Sequence, residues 1–234
     1  MNEKSTLFAG SVDMSSMERP SLLTIQVGLP RSLDGDSAAG LQPWTTAFFK
    51  SPVDGPVWLS TTNLAGDFQA NQKTHGGPDK AVCVYPFEHY EFWEHRLARK
   101  IDSPGAFGEN FTTLRTLEHD ACIGDVLRLG EAICQISQPR PPCWKMSRCW
   151  QIPDLAAQVE QTGLTGWYLR VLEPGYVAPG GPIELLERSE PQWTIARANE
   201  ILYHPERDAG SVHILASCPL LSHSWRAYLL SQRS

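Results

Sequence analysis

The stretch Val126-Leu127-Arg128-Leu129-Gly130-Glu131-Ala132-Ile133-Cys134-Gln135-Ile136-Ser137-Gln138-Pro139-Arg140-Pro141-Pro142-Cys143-Trp144-Lys145 decides how the chain reads. Two short apolar runs, 126–129 and 132–136, flank Gly130-Glu131, and that pattern predicts a β-hairpin. The second run passes into a segment in which Pro139, Pro141 and Pro142 hold the backbone extended with little entropy left to lose. A stiff loop suits a side chain that must be aimed, and Cys143 stands there between Arg140 and Lys145. Cations beside a thiol favour its thiolate, which is both a nucleophile and a soft metal ligand. A proline-rich connector ending in a buried cysteine is the plainer reading of the same residues.

Outward from this segment, short apolar runs alternate with turn residues. Ser21–Gly28, Val57–Leu59, Ala81–Tyr85, Thr165–Leu172 and Pro182–Glu187 read as strands. Pro86–Lys100 reads as a helix, with Pro at its first turn and Tyr90, Trp93 and Leu97 on one stripe; Asp154–Thr162 reads as a second. Pro30–Pro43, rich in Gly, Ser and Asp, reads as a loop. After Pro191 the strand signals stop, and 193–202, 211–217 and 222–231 read as three short helices, the first capped by Thr194. The fold class expected is therefore mainly β with helices: an N-terminal extension over 1–20, a β-rich domain over 21–190 and a small helical C-terminal subdomain over 191–234. The tail's apolar stripe can pack on its own domain or on a second subunit of a homodimer.

A formal charge of -6 argues against a general affinity for nucleic acid. Six cysteines without a C-x-x-C pair give no zinc-site spacing and fit a reduced, cytoplasmic protein. No apolar run approaches the ~20 residues that a membrane helix needs, and no secretory leader is apparent. Cys83, Cys122 and Cys134 read as core residues, Cys149 as a strand residue, His89 and His95 as members of a solvated helix face, and Asp125 as a turn residue bonding backbone.

Two further segments can carry chemistry. In Lys73-Thr74-His75-Gly76-Gly77-Pro78-Asp79-Lys80, paired glycines allow a tight turn with exposed N–H groups, and Lys73, His75 and Lys80 surround them. Convergent donors of this kind suit an anion such as phosphate, although an ordinary surface turn has the same composition. In Gly105-Ala106-Phe107-Gly108-Glu109-Asn110-Phe111, the Asn110 amide can both donate to and accept from a polar heterocycle; a glycine-bent entry to a strand is the alternative.

In order, His75-Gly76-Gly77-Pro78-Asp79-Lys80-Ala81-Val82, Phe107-Gly108-Glu109-Asn110-Phe111 and Gln138-Pro139-Arg140-x-Pro142-Cys143 resemble the MOSC domain family. Tyr85-Pro86-x-Glu88-His89-Tyr90, Gly124-Asp125, Thr162-Gly163-x-x-Gly166-Trp167 and the helical tail resemble its YiiM-like branch. The resemblance implies a barrel-like β fold and a molybdenum cofactor (Mo-molybdopterin) whose metal is bound by Cys143. Lys73, His75, Gly76, Gly77 and Lys80 would then hold the phosphate; Asn110, Ser137 and Arg140 would meet the pterin ring or tail, with Arg31 as a further cation. It also implies reduction of N-hydroxylated small molecules, hydroxylamino bases and amidoximes, with electrons from a separate flavin or haem/iron–sulfur protein. The chain shows no nicotinamide, flavin or iron–sulfur signature of its own. A carrier of cofactor or sulfur, or a metal-free thiol enzyme, would use the same Cys143.

Overall fold

A computed structural model describes residues 19–35, 42–204 and 209–231. The expected N-terminal extension therefore lies, for residues 1–18, outside the described residues. In chain order the elements are β1 (Ser21–Val27), β2 (Arg31–Leu33), β3 (Trp44–Thr46), β4 (Ser51–Pro52), β5 (Val57–Leu59), α1 (Gln72–His75), β6 (Val82–Pro86), α2 (Glu88–Leu97), β7 (Phe111–Leu114), β8 (Val126–Leu129) and β9 (Ala132–Pro139). They continue with α3 (Trp144–Trp150), α4 (Leu155–Thr162), β10 (Trp167–Glu173), β11 (Gly175–Val177), β12 (Ile183–Glu187), α5 (Ile195–Tyr203), α6 (Ala209–Ala216) and α7 (His223–Ser231).

Eight strands form one sheet in the order β12-β8-β9-β10-β6-β7-β1-β4. The sheet curls until the entry to β12 meets the start of β1: Leu22 N–H donates to Gly181 O at 2.9 Å and Ile183 N–H to Pro20 O at 2.9 Å. Most pairs are antiparallel; β6 and β7 are parallel, with α2 as their crossover. β9 lies in the middle of the hairpin-rich half and is buried along its whole length. Both its faces are covered, so its polar residues are hydrogen-bonded inside the fold: Gln135 Nε2 donates to Gly124 O at 3.2 Å and the Ser137 hydroxyl to Asp79 O at 2.6 Å. Ala132, Cys134 and Ile136 enter the main core.

The tail helices belong to that same core. Trp193, Ile195, Ile201, Leu215, Trp225 and Leu229 pack in one cluster with Leu22, Ile25, Phe111 and Trp167 of the sheet. Thr194 caps α5 by accepting from Arg197 N–H. A second, aromatic cluster of Tyr85, Tyr90, Trp93, Phe107 and Trp150 joins α2, α3 and the 105–109 segment. Tyr85 and Trp150 stack on opposite sides of this cluster's centre, Phe107, at 4.7 and 5.3 Å.

Several expectations change. The run 30–43 contains a short strand, β2, paired with β3 rather than only loop. Cys149 sits on α3, a helix that the proline-rich run before it masks in the sequence. His89 is buried, not solvated: its Nε2 meets Glu118 Oε2 at 2.8 Å. Helix α2 is shorter at both ends than the 86–100 expected, because Pro86 still belongs to β6 and Ala98 closes the helix in the left-handed region. Cys83, Cys122 and Cys134 are buried, His95 is exposed, and Asp125 Oδ2 accepts from Cys122 N–H at 2.9 Å. Among the described residues no helix is long and apolar enough to cross a membrane.

Gly166 is the residue at which a side chain would do most damage. Its φ is +68°, and a Cβ there would lie 2.2 Å from Val84 O. Its own N–H donates to Glu118 Oε1 at 2.8 Å, and its carbonyl accepts from Arg140 N–H at 3.1 Å. Gly166→Ala should lower the unfolding free energy in urea by about 2–4 kcal/mol; an unchanged midpoint would mean that the strand shifts at no cost.

Candidate functional site: the cleft at Cys143

β9 ends at Pro139, and the chain turns through Arg140, Pro141 and Pro142 to Cys143. Cys143 takes an extended conformation (φ -129°, ψ 155°) as the residue that precedes α3. Its side chain is half-buried and lines a cleft. The cleft walls come from separate places: Thr46 and Lys50 at and after β3, Asp67, Asn71, His75 and Lys80 around α1 and the glycine loop, Cys83, Asn110 and Tyr168 at the sheet, and Arg140, Cys143 and Lys145.

Five residues expected from the sequence meet there: His75, Lys80, Asn110, Arg140 and Cys143. The other five do not line it. Lys73 is exposed on α1. Gly76 closes α1, and its N–H is already given to Gln72 O at 3.0 Å, so it is not a free donor for phosphate. Gly77 supplies the turn with φ +94°. Ser137 is fully buried, and its hydroxyl lies 2.6 Å from Asp79 O and 3.1 Å from Tyr168 O. It therefore ties β9 to the glycine loop and to β10. Arg31 stacks over the Phe49 ring at 3.9 Å. Asn110 lines the cleft but its amide is committed to backbone: Oδ1 accepts from Cys83 N–H at 3.2 Å and Nδ2 donates to Gln26 O at 3.2 Å.

Arg140 is the centre of the arrangement. It is 7% exposed. One terminal nitrogen donates to Phe107 O; the other, Nη1, is buried with no partner. Phe107 is itself fixed, because the Glu109 carboxylate accepts from Gly105 N–H at 2.9 Å, from Phe107 N–H at 3.1 Å and from the Tyr90 hydroxyl. Burial works against the guanidinium's charge, but Cys83, Tyr168, Cys143 and Glu109 facing it more than offset this, and its pKa lies above the ordinary value.

A second unpartnered atom lies in the same cleft. Asp67 is 3% exposed; its Oδ1 accepts from Gly28 N–H at 2.9 Å and pairs with Lys50, while Oδ2 is buried with no partner. Lys50, Asp67 and Tyr168 are cleft residues that the sequence reading missed, since each is a lone polar residue outside any motif. The cleft thus offers an unfilled donor at Arg140 and an unfilled acceptor at Asp67, each of which costs about 1–3 kcal/mol while unmet.

The surroundings are electropositive. Burial lowers the His75 pKa to about 4, helped by the charges of Arg140, Lys145 and Lys80. Burial also lowers Lys80, whose Nζ donates to Thr74 O at 2.8 Å. Burial pushes the Cys83 thiol up to about 11 and the Cys149 thiol, which also faces Cys143, up to about 12. Of these thiols only Cys83 shares the cleft with Cys143, and it is held protonated.

The sign of the His75 effect follows from its lowered pKa. The folded protein keeps the ring neutral down to about pH 4, whereas an unfolded histidine takes up a proton near 6.5. Unfolding therefore gains a proton between those values, and stability falls as the pH drops from 6.5 towards 4. His75→Gln should flatten that part of the stability–pH curve of the ligand-free protein. An identical slope in the variant would place the His75 titration at its ordinary value.

The MOSC domain model matches residues 71–184, and the model for the YiiM-like 3-alpha helix domain matches residues 193–234. The uncharacterized protein YflK of Bacillus subtilis is 44% identical over 216 residues, covering 92% of this chain and 96% of that protein. A protein named "Reductase" from Gibberella moniliformis is 35% identical over 76% of this chain, which corresponds to 31% of the fungal protein's length. The crystal structure of YiiM from Geobacillus stearothermophilus superposes with a TM-score of 0.76 at 37% identity, covering 92% of this chain and all of that one. The first match takes in the glycine loop, Asn110, Arg140 and Cys143, and the second takes in the helices that close the core. The chain belongs to the MOSC domain family, in its YiiM-like branch.

Proposed function

We propose that this protein is a molybdenum-cofactor-dependent reductase of N-hydroxylated small molecules, supplied with electrons by a separate redox protein. The observation that carries the reading is the pair of unfilled atoms beside Cys143. Arg140 Nη1 calls for an acceptor and Asp67 Oδ2 calls for a donor. A pterin with a phosphate tail offers both, since its anionic tail suits Arg140, Lys80 and Lys145, and the N–H groups of its pyrimidinone edge suit a carboxylate oxygen. The residues present fit the group.

Among the described residues no three His, Cys, Asp or Glu side chains are placed to hold a metal ion together. A metal at Cys143 would take this one thiolate from the chain and its remaining sulfur ligands from the cofactor, a soft set that suits molybdenum. When bound, the cofactor supplies the two-electron chemistry; the chain binds and orients it. In the net reaction the N–O bond breaks, two electrons and two protons enter, and the hydroxyl oxygen leaves as water. Lys80 Nζ is a cleft cation with a lowered pKa, which makes it a readier proton donor than an ordinary lysine. All six cysteines are free, which suits a reducing compartment such as the cytoplasm. The fungal relative's name, Reductase, agrees with redox chemistry on this fold.

Protein purified from cells that make molybdenum cofactor should carry near-stoichiometric molybdenum and reduce an amidoxime to the amidine with a small artificial electron donor. Cys143→Ala should fold normally and carry none. Arg140→Ala should weaken cofactor retention by about 1–3 kcal/mol. Metal retained in full by Cys143→Ala would sink the ligand assignment, and molybdenum without turnover would favour a cofactor carrier.

A further inference from the structure

The mouth of the Cys143 cleft has the opposite charge to the molecule that bears it. The framing segments 29–35, 42–50, 69–75 and 141–149 contain Arg31, Lys50, Lys73, Lys145 and Arg148, and one acid, Asp34. The chain as a whole is -6. Lys50 answers Asp67, but the cations around it are held by aromatic rings and carbonyls instead of carboxylates. Arg148 lies 4.8 Å from the Trp44 ring and 5.9 Å from the Trp144 ring, and it donates to Gln42 O at 2.7 Å. Lys145 Nζ donates to Thr45 O at 2.7 Å, and Arg31 stacks on Phe49. These contacts fix the positions of the charges without neutralising them. The rings remain open to solvent: Trp144 is 56% exposed and Phe49 40%.

Arginines stacked beside exposed tryptophan and phenylalanine are the composition of a protein–protein contact, in which aromatic anchors supply affinity and charge sets partner and encounter rate. Four cations without a carboxylate partner among the described residues are few for a polyanion, whose binding rests on many phosphate contacts and would be opposed by the net charge beyond this patch.

We infer that this rim is the docking face for a small acidic electron-transfer protein, seated with its redox group over Cys143. The inference rests on the reductase reading and deepens it by naming the partner's charge and the surface it uses. A donor that docks here reaches the metal ligand's immediate neighbour, Trp144, without entering the cleft. A small donor enters the cleft directly and needs no rim.

The test compares two electron donors on the cofactor-loaded protein, with an amidoxime as acceptor. With a reduced acidic flavodoxin, turnover should fall as ionic strength rises from about 20 to about 300 mM. Arg31→Glu/Arg148→Glu should lower kcat/KM for flavodoxin about tenfold or more, with Arg31→Gln/Arg148→Gln in between. With dithionite as donor, each variant should stay within about twofold of the unmodified protein. Equal losses with both donors, or no dependence on salt or charge, would overturn the docking face. If neither donor supports turnover, the reductase reading fails by itself. Flavodoxin binding measured by calorimetry at low salt, for the unmodified and charge-reversed proteins, then still decides the rim. Tighter binding of a single-stranded oligonucleotide than of flavodoxin would overturn the inference in favour of a nucleic-acid surface.

Discussion

A guanidinium shut away from water with one arm unfilled is the constraint around which this molecule is arranged. Burying a charge is expensive unless hydrogen bonds and opposite charges compensate it, and removal of one partner is more damaging than the pair is stabilising. Arg140 has a carbonyl from Phe107 on one side and nothing on Nη1. Of the groups that face it, the Glu109 carboxylate carries the opposite charge, while burial holds the Cys83 thiol and the Tyr168 phenol protonated. An external acceptor that reached Nη1 would complete the hydrogen bonding of the guanidinium.

The supports of that atom run through most of the fold. The 105–109 turn is locked by Glu109, and Phe107 is clamped between Tyr85 and Trp150, so the carbonyl that holds Arg140 has little freedom. On the backbone side, Arg140 N–H is held by Gly166, Gly166 by Glu118, and Glu118 by His89. The tail completes the support from behind. Ser222 N–H donates to Ser137 O at 2.9 Å and the Ser222 hydroxyl to Gln138 Oε1 at 2.7 Å, while His223 N–H reaches Asp79 Oδ2 at 3.2 Å. The three tail helices are thus a buttress for the end of β9 and for the glycine loop. Their match to a separate helical family model describes their ancestry better than their mechanics.

Many strands are legible because they are short apolar runs punctuated by turn residues, and Val57–Leu59 and Val126–Leu129 appear with the expected bounds, whereas β4 and β7 of the main sheet carry no such signal. β9 was read too short, since Ser137-Gln138-Pro139 is polar and proline-bearing and its pairing with β10 is a long-range fact. Helix α3 was hidden for a similar reason: three prolines suppress any helical expectation up to Cys143, and the helix begins at the very next residue. At the site, the motif residues divided by what they bond. His75, Lys80 and Arg140 reached the cleft with Cys143, whereas the charged Lys73 and Arg31 did not. Ser137 did not, and Asn110 reached it with its amide already spent, because hydroxyls and amides are the groups a folded chain uses to satisfy its own backbone. Asp67 and Lys50 carried no signal, being brought in by tertiary contact across the start of the sheet.

The same division explains how one cysteine can suffice. A chain that binds a metal by itself must bring three or four ligands together from rigid elements, and the described residues hold no such group. Here the rigid elements instead converge on hydrogen-bonding and charged groups: Arg140 from β9, His75 and Lys80 from the glycine loop, Asp67 from the segment after β5. Under the proposed reading, those groups would select an extended, anionic, hydrogen-bonding ligand and fix its orientation. Cys143, on a loop that prolines keep stiff, needs only to meet whatever that ligand carries at its other end. Specificity for the metal would then follow from specificity for the organic part, and the thiolate would complete the coordination without having to choose the ion.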